Sequence, residues 1–316
     1  MVSHVRVSEK PLRINHMTTP LKLGEPRTLG SLGEVGPLSI GCWRLTGSDS
    51  NNSSVISAAV DAGMNLVDNA DVYGLDWGGT HFGACEEALG RVLATTPGLR
   101  DRIVLATKGG IIPGVPYDSS SSYLVSACEA SLSRMGVDHV DLYQIHRPDH
   151  FTHPQEIASA FASLHSRGLV RDFGVSNYTA TQTLALNSFV ENGLVSVQPQ
   201  FSAIHLDPMR DGIFDLCQEA ALTPLAWSPL AGGALATGTG VRMELVKVLD
   251  DLALREGVTR AAVAIAFVLA HPSQPVAIIG TQNANRIAEL ALATTISLSR
   301  TDVYSIVQAS DARPLP

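Results

Sequence analysis

The sequence predicts an α/β protein built as a (β/α)8 TIM barrel, with an N-terminal β-hairpin closing the floor and an added C-terminal helix. Three observations carry this reading. Eight short β-rich apolar runs alternate with longer segments of helical period. Polar and aromatic residues collect at the C-terminal ends of these runs, the end at which a parallel barrel keeps its site. No Gly-x-Gly-x-x-Gly follows the first run, and no Gly-x-x-x-x-Gly-Lys occurs, although a doubly wound nucleotide-binding sheet would usually carry one of them.

The runs are 38–45, 65–70, 103–108, 140–146, 170–177, 196–204, 224–230 and 276–281. The first helix is expected at 53–62, behind an Asn/Ser cluster able to cap it. Helical patterns then fall at 85–94, 123–135, 157–166, 181–190 and 213–221. Region 241–270 reads as two helices broken near Gly257; 286–293 follows the last run, and 301–309 is the terminal addition. Gly30, Gly33 and Gly36 precede the first run and read as the hairpin. Residues 1–16 carry charge but no apolar stretch of a secretory signal, and are expected to be a disordered extension. The barrel is expected to occupy 17–316 as a single domain.

Composition narrows the function. A chain of 316 residues, 45% hydrophobic and 16% charged, can bury a large core and is not a disordered chain. Aromatics are only 5%, so Ala, Val, Leu and Ile must fill that core. A formal net charge of −8 argues against non-specific nucleic-acid binding. Cys42, Cys85, Cys128 and Cys217 are widely spaced and form no Cys-x-x-Cys, which suits a reducing cytoplasm rather than a disulfide framework or zinc ribbon. No apolar run reaches the roughly 18 residues of a membrane helix. A small-molecule partner is the expectation that remains; the oligomeric state is open.

The chemistry is read from the ends of the runs. Only four of the 22 basic residues are lysines, and Lys108 ends an apolar run. Asp68 lies near the end of the neighbouring run, and a buried ammonium needs a paired carboxylate. Tyr73 follows five residues after Asp68, and a cation beside a phenol lowers its pKa, giving a general acid near neutral pH. His146 ends the fourth run and can donate a hydrogen bond to a substrate oxygen. Singly these read as a rim ion pair, a loop aromatic and a strand cap. Together on consecutive strands they equip carbonyl reduction, provided a hydride source lies alongside. A competing reading takes His146, Asp149, His150 and His153 as metal ligands, but His150 and His153 crowd into one loop rather than coming from several strands.

The segments Asp68-Asn69-Ala70-Asp71-Val72-Tyr73-Gly74, Ala106-Thr107-Lys108, Gln144-Ile145-His146-Arg147-Pro148-Asp149, Gly174-Val175-Ser176-Asn177-Tyr178, Ala226-Trp227-Ser228-Pro229-Leu230 and Ile278-Ile279-Gly280-Thr281-Gln282 occur in this order. The set resembles the aldo-keto reductase superfamily from about residue 28 to about 295. Gly41-Cys42-Trp43-Arg44 and the His-Arg-Pro-Asp stretch resemble its bacterial YdhF-like branch.

The resemblance implies a barrel that binds NADP(H), in preference to NAD(H), without a doubly wound sheet. It implies Tyr73 as proton donor, Lys108 lowering its pKa, Asp68 holding Lys108, and His146 orienting the carbonyl. It implies Ser176, Asn177 and Gln198 on the nicotinamide carboxamide and Trp227 stacked on the ring. Cys42, Trp43, Ser228, Leu230, Gly280 and Gln282 complete the cofactor segments, with Thr281 and Arg286 near the adenosine phosphate. Trp43, Arg44, Trp77, Arg147 and Trp227 are the expected substrate contacts, suited to a polyhydroxylated or anionic carbonyl. Trp77 and His81 lie in a long loop after Tyr73 that either lines the site or folds on the outside. Gly280 stands where many members carry a basic residue, and Leu290 where many carry Asn. Two alternatives stay open: NAD(P)+-dependent oxidation of a sugar or alcohol by the same site, and a non-enzymatic cofactor-binding subunit.

Overall fold

The computed structural model describes residues 23–75 and 78–313; residues 1–16 and Trp77 lie outside that range. Strands β1 (Arg27–Thr28) and β2 (Glu34–Val35) form an antiparallel hairpin. The barrel strands are β3 (Leu38–Gly41), β4 (Leu66–Asp68), β5 (Val104–Gly109), β6 (Val140–Ile145), β7 (Val170–Ser176), β8 (Ser196–Gln198), β9 (Thr223–Ala226) and β10 (Val276–Ile279). Each pairs in parallel with the next, and β10 closes on β3 through Ala277 opposite Leu38. Several strands stop short of the runs read from sequence. Beyond β3 and β4 the chain turns while its amides still reach the neighbouring strand: Cys42 N donates to Asp68 O at 2.8 Å, and Asn69 N to Ala106 O at 2.9 Å.

The helices are α1 (Asp49–Asp61), α2 (Ala84–Thr95), α3 (Ser121–Met135), α4 (Pro154–Ser166), α5 (Ala180–Asn187), α6 (Ile213–Glu219), α7 (Ala234–Thr237), α8 (Met243–Glu256), α9 (Arg260–Leu269), α10 (Ala284–Ala291) and α11 (Arg300–Asp311). Helix α1 begins one turn earlier than expected. Ser48 is its cap, accepting from Asn51 N, and the Asn/Ser cluster lies inside the first turns. The break in 241–270 falls where expected: Gly257 ends α8 in the left-handed region, and the Thr259 side chain caps α9. Helix α9 is buried from Ala261 to Leu269 and apolar on every face, as a helix enclosed by neighbours must be. Helix α11 packs on α8, held by the paired contacts of Arg255 with Asp302 at 2.9 and 3.0 Å.

Alternation along the strands separates two cores. Outward residues such as Val67, Leu105, Tyr143 and Val175 pack under the helices. Inward residues form a second cluster at the floor: Leu29, Val35, Leu66, Ala106, Leu142, Val195, Leu225, Val276 and Ile278. The hairpin supplies the first two and plugs this end. Its Gly30 sits at φ 51°, where a Cβ would collide with Val195, so only glycine fits. Ser31 N and Oγ both donate to Asp172 Oδ2, at 3.1 and 2.7 Å, and Thr223 Oγ1 donates to Thr28 O. Two residues further along, the same inward rows become polar: Leu66 gives way to Asp68, Ala106 to Lys108, Leu142 to Gln144. No helix among the described residues is long and apolar enough to cross a membrane.

Candidate active site

At the mouth, β4 and β5 bring Asp68 and Lys108 side by side, both buried. Lys108 Nζ donates to Asp68 Oδ2 at 2.7 Å, to Asn69 O at 2.8 Å and to Tyr73 Oη at 3.1 Å, using all three of its protons. Asp68 Oδ1 accepts from Gln198 Nε2 at 3.1 Å and Gln144 Nε2 at 3.3 Å. The Tyr73 ring meets the His146 ring edge-on, centroids 5.6 Å apart. The four residues singled out from sequence thus converge on one point.

The electrostatics correct one expectation. Burial, the strongest influence on Tyr73, raises its pKa; Asp68 adds to this, and Lys108 offsets only part of it. The phenol therefore stands above its ordinary value rather than near neutrality: burial outweighs Lys108, whose field Asp68 partly cancels. Burial alone would lower Lys108, but Asp68 and Tyr73 more than reverse this and hold the ammonium charged. Burial, then Lys108 and Arg147, push His146 well below the ordinary imidazole range. His146 is thus neutral near pH 7, with one ring N–H to donate.

The strand ends beside this centre are knitted together. Asn177, at φ 60°, donates through Nδ2 to His146 O (3.1 Å) and Ser176 Oγ (2.9 Å), and its Oδ1 accepts from Trp227 Nε1 at 3.1 Å. Ser176 Oγ donates to Gln198 O at 3.0 Å. One amide therefore joins the ends of β6, β7 and β9 and fixes the half-buried Trp227 indole. Ser228, also at positive φ, accepts from Gly232 N, and Leu230 precedes that turn. Beyond β10, Gly280 is exposed, with no atom within 4 Å of where its Cβ would stand. Thr281 Oγ1 accepts from Asn283 N, and Gln282 Oε1 is buried without a hydrogen-bond partner among the described residues. Arg286 is exposed in the first turn of α10, while Leu290 is buried in the core.

Across the mouth, Cys42 is buried and its thiol is pushed well up, chiefly by burial. Trp43 is 38% exposed, and the Arg44 guanidinium lies 5.3 Å from its ring centre. Arg147 is half-buried beside His146. His81 faces helix α2, its Nε2 3.1 Å from Glu87, so this part of the long loop folds on the outside. Two residues of the metal reading have structural roles: Asp149 accepts from Ser119 N, Phe151 N and Thr152 Oγ1, and His153 caps α4. Gln144 was not singled out from sequence, yet it holds Asp68. Its signal is alternation: Leu142, Gln144 and His146 share the inward side of one strand.

At the mouth of a closed parallel barrel, a carboxylate–ammonium–phenol chain beside a neutral imidazole is equipped to polarise an oxygen and pass it a proton. The chain matches the model of the Aldo/keto reductase family over residues 37–311 and belongs to that family. It is 44% identical over 295 residues to the 6-dehydroglucose reductase of Novosphingobium aromaticivorans, covering 92% of this chain and 97% of the relative. It is 34% identical over 298 residues to the oxidoreductase YdhF of Escherichia coli, covering 90% and 96%. Among solved structures, a thermostable aldo-keto reductase in complex with the inhibitor epalrestat superposes with a TM-score of 0.77 at 26% identity, covering 90% of this chain and 99% of that one. An aldo-keto reductase from Klebsiella pneumoniae in complex with NADPH gives the same TM-score at 24% identity, covering 93% and 96%, and shares the fold. The protein is an oxidoreductase of this family.

Proposed function

We propose that the protein reduces an aldehyde or ketone of the polar, sugar-like class with NADPH, and that Tyr73 supplies the proton. The observation that carries this is Lys108 Nζ, shared between Asp68 Oδ2 and Tyr73 Oη next to a neutral His146. The residues present fit NADPH: the half-buried Trp227 indole, the buried Gln282 Oε1 that has no partner among the described residues, the open space at Gly280 and the exposed Arg286. Bound there, it supplies the hydride. Ser176, Asn177 and Gln198 would hold its carboxamide and Trp227 its ring, with Cys42, Trp43, Ser228 and Leu230 flanking them. Thr281, Gln282 and Arg286 would hold the phosphate end.

His146 donates a hydrogen bond to the carbonyl oxygen and polarises it. Tyr73 gives its proton to the oxygen as negative charge develops there. A phenol above its ordinary pKa keeps that proton at neutral pH until the oxygen becomes basic enough to take it. Lys108 then stabilises the phenolate, and Asp68 keeps Lys108 in place. Arg147, Arg44 and Trp43 would contact the substrate. The polar class rests on Arg147, whose guanidinium makes no ion pair among the described residues, and on the relatives named for a sugar carbonyl. Four free, buried cysteines fit a reducing cytoplasm.

The test follows loss of the reduced-nicotinamide absorbance with sugar aldehydes, simple aldehydes and steroid ketones. Faster turnover of the polar carbonyls is expected. Folded protein that leaves NADPH unoxidised with every carbonyl, and whose tryptophan fluorescence NADPH does not quench, would overturn the proposal.

A further inference from the structure

Two residues before Tyr73 lies an acid that the mechanism above does not use. Asp71 is fully buried, and neither of its carboxyl oxygens has a hydrogen-bond partner among the described residues. The Val72 amide approaches without completing a bond. The groups around it come from four elements: Glu86 on α2, Tyr123 and Arg134 on α3, Lys108 and Gly109 on β5, and Tyr143 on β6. A Cβ on Gly109 would stand 3.4 Å from Asp71 Oδ2 and would collide with the Tyr143 hydroxyl, so the wall here is tight.

The charges do not balance. Lys108 is taken by Asp68. Arg134 Nε holds Glu86 Oε2 at 2.7 Å, while Thr107 Oγ1 donates to the other oxygen of Glu86. Among the described residues one cation thus serves two carboxyl groups, and Glu86 occupies it. An ionised Asp71 would be a buried charge without a counter-ion among the described residues, a state proteins avoid by neutralising the group. Burial and the nearby Glu86 act the same way, raising this carboxyl well above its ordinary 3.8.

We propose that Asp71 is a neutral carboxylic acid in the folded enzyme and a positioning residue for Tyr73, whose ionisation sets the alkaline limit of both the fold and the reaction. The link to Tyr73 is short. Asp71 N donates to Lys108 O at 3.0 Å, Cys85 N donates to Tyr73 O at 3.3 Å, and Asn69 Nδ2 donates to Cys85 O at 3.1 Å. The turn carrying Tyr73 is therefore pinned between β5 and the start of α2. A negative charge on Asp71, facing Glu86 in that first turn, pushes the turn and the helix apart. The part concerning catalysis rests on the role proposed for Tyr73; the part concerning protonation does not.

The experiment compares the parent with Asp71→Asn, which has the same shape and never ionises. Above pH 3.8 the unfolded chain releases a proton that the folded chain retains, so Asp71 lowers stability increasingly as pH rises until the folded carboxyl itself titrates. The variant should melt higher than the parent, with a gap that widens from roughly pH 5 to pH 8. The alkaline limb of its kcat profile should move to higher pH. A melting gap independent of pH, or one that shrinks as pH rises, overturns the proposal. Infrared spectra of the parent at neutral pH should show the carbonyl stretch of a protonated carboxylic acid that Asp71→Asn lacks. Its absence from the parent overturns the proposal even if the variant fails to fold. Melting and infrared readings decide Asp71 in protein that turns over no carbonyl at all, so failure of the reduction reading stays separate.

Discussion

The floor and the mouth of this barrel are built on the same strands, two residues apart, and obey opposite rules. At the floor, the inward side chains are apolar and gain their stability from packing: Leu66, Ala106 and Leu142 meet Leu29 and Val35 of the plug. At the mouth, the next inward positions are Asp68, Lys108 and Gln144, and the two charges there are tolerated because each has partners. Burying the mouth residues costs stability, and the floor offsets that cost. Strand periodicity fixes where chemistry can stand, while the opposite end of each strand supplies the rigidity to hold it.

The difference can be broken at either end. Tyr73→Phe should lower turnover by about 10² to 10⁴-fold, the range of a lost general acid, while the melting temperature stays close to the parent's; stopped turnover with normal melting is the signature to look for. Lys108→Met strands Asp68 as an unpaired buried charge, so denaturant melts should show a loss of about 3–5 kcal/mol together with lost activity. A variant as stable as the parent would mean Asp68 takes a proton in exchange. At the floor, Leu142→Ala should cost about 2–5 kcal/mol in the same melts. Its kcat at low temperature should be unchanged, and a large drop there would show that floor and mouth are not separable. The smallest effect belongs to Arg286→Ala, outside both regions: KM for NADPH should rise about tenfold, in line with one lost charge-assisted contact, with little change for NADH. Equal changes for both cofactors would remove Arg286 from the extra phosphate that distinguishes NADPH from NADH.

Much of this was legible in the sequence, and what was not has physical reasons. The order of strands and helices follows from alternation and helical period, and the break at Gly257 from a residue able to enter the left-handed region. Asp68, Tyr73, Lys108 and His146 stand where run ends and family motifs place them. The start of α1 was misplaced because an Asn/Ser cluster reads as a cap, whereas Ser48 just upstream captures that role. The direction of the Tyr73 shift was not readable, since it is a balance of burial, Lys108 and Asp68 that only coordinates weigh. Asn177 carries a motif signature, but its part in tying three strand ends together depends on where those strands finish. Asp71 is invisible as an orphan in sequence, because an acid looks the same whether or not a base faces it.

The plug has a consequence for how the chain is made. The hairpin is among the first described residues to leave the ribosome, yet Ser31 must wait for Asp172, 141 positions later, and Thr28 for Thr223, 195 positions later. β3 meets its partner β10 only when residue 276 and beyond have emerged. During synthesis the bottom of the barrel is therefore open and its apolar layer wet, and the hairpin is an early product with a late assignment. A chain arrested before β9 carries the stopper without the vessel.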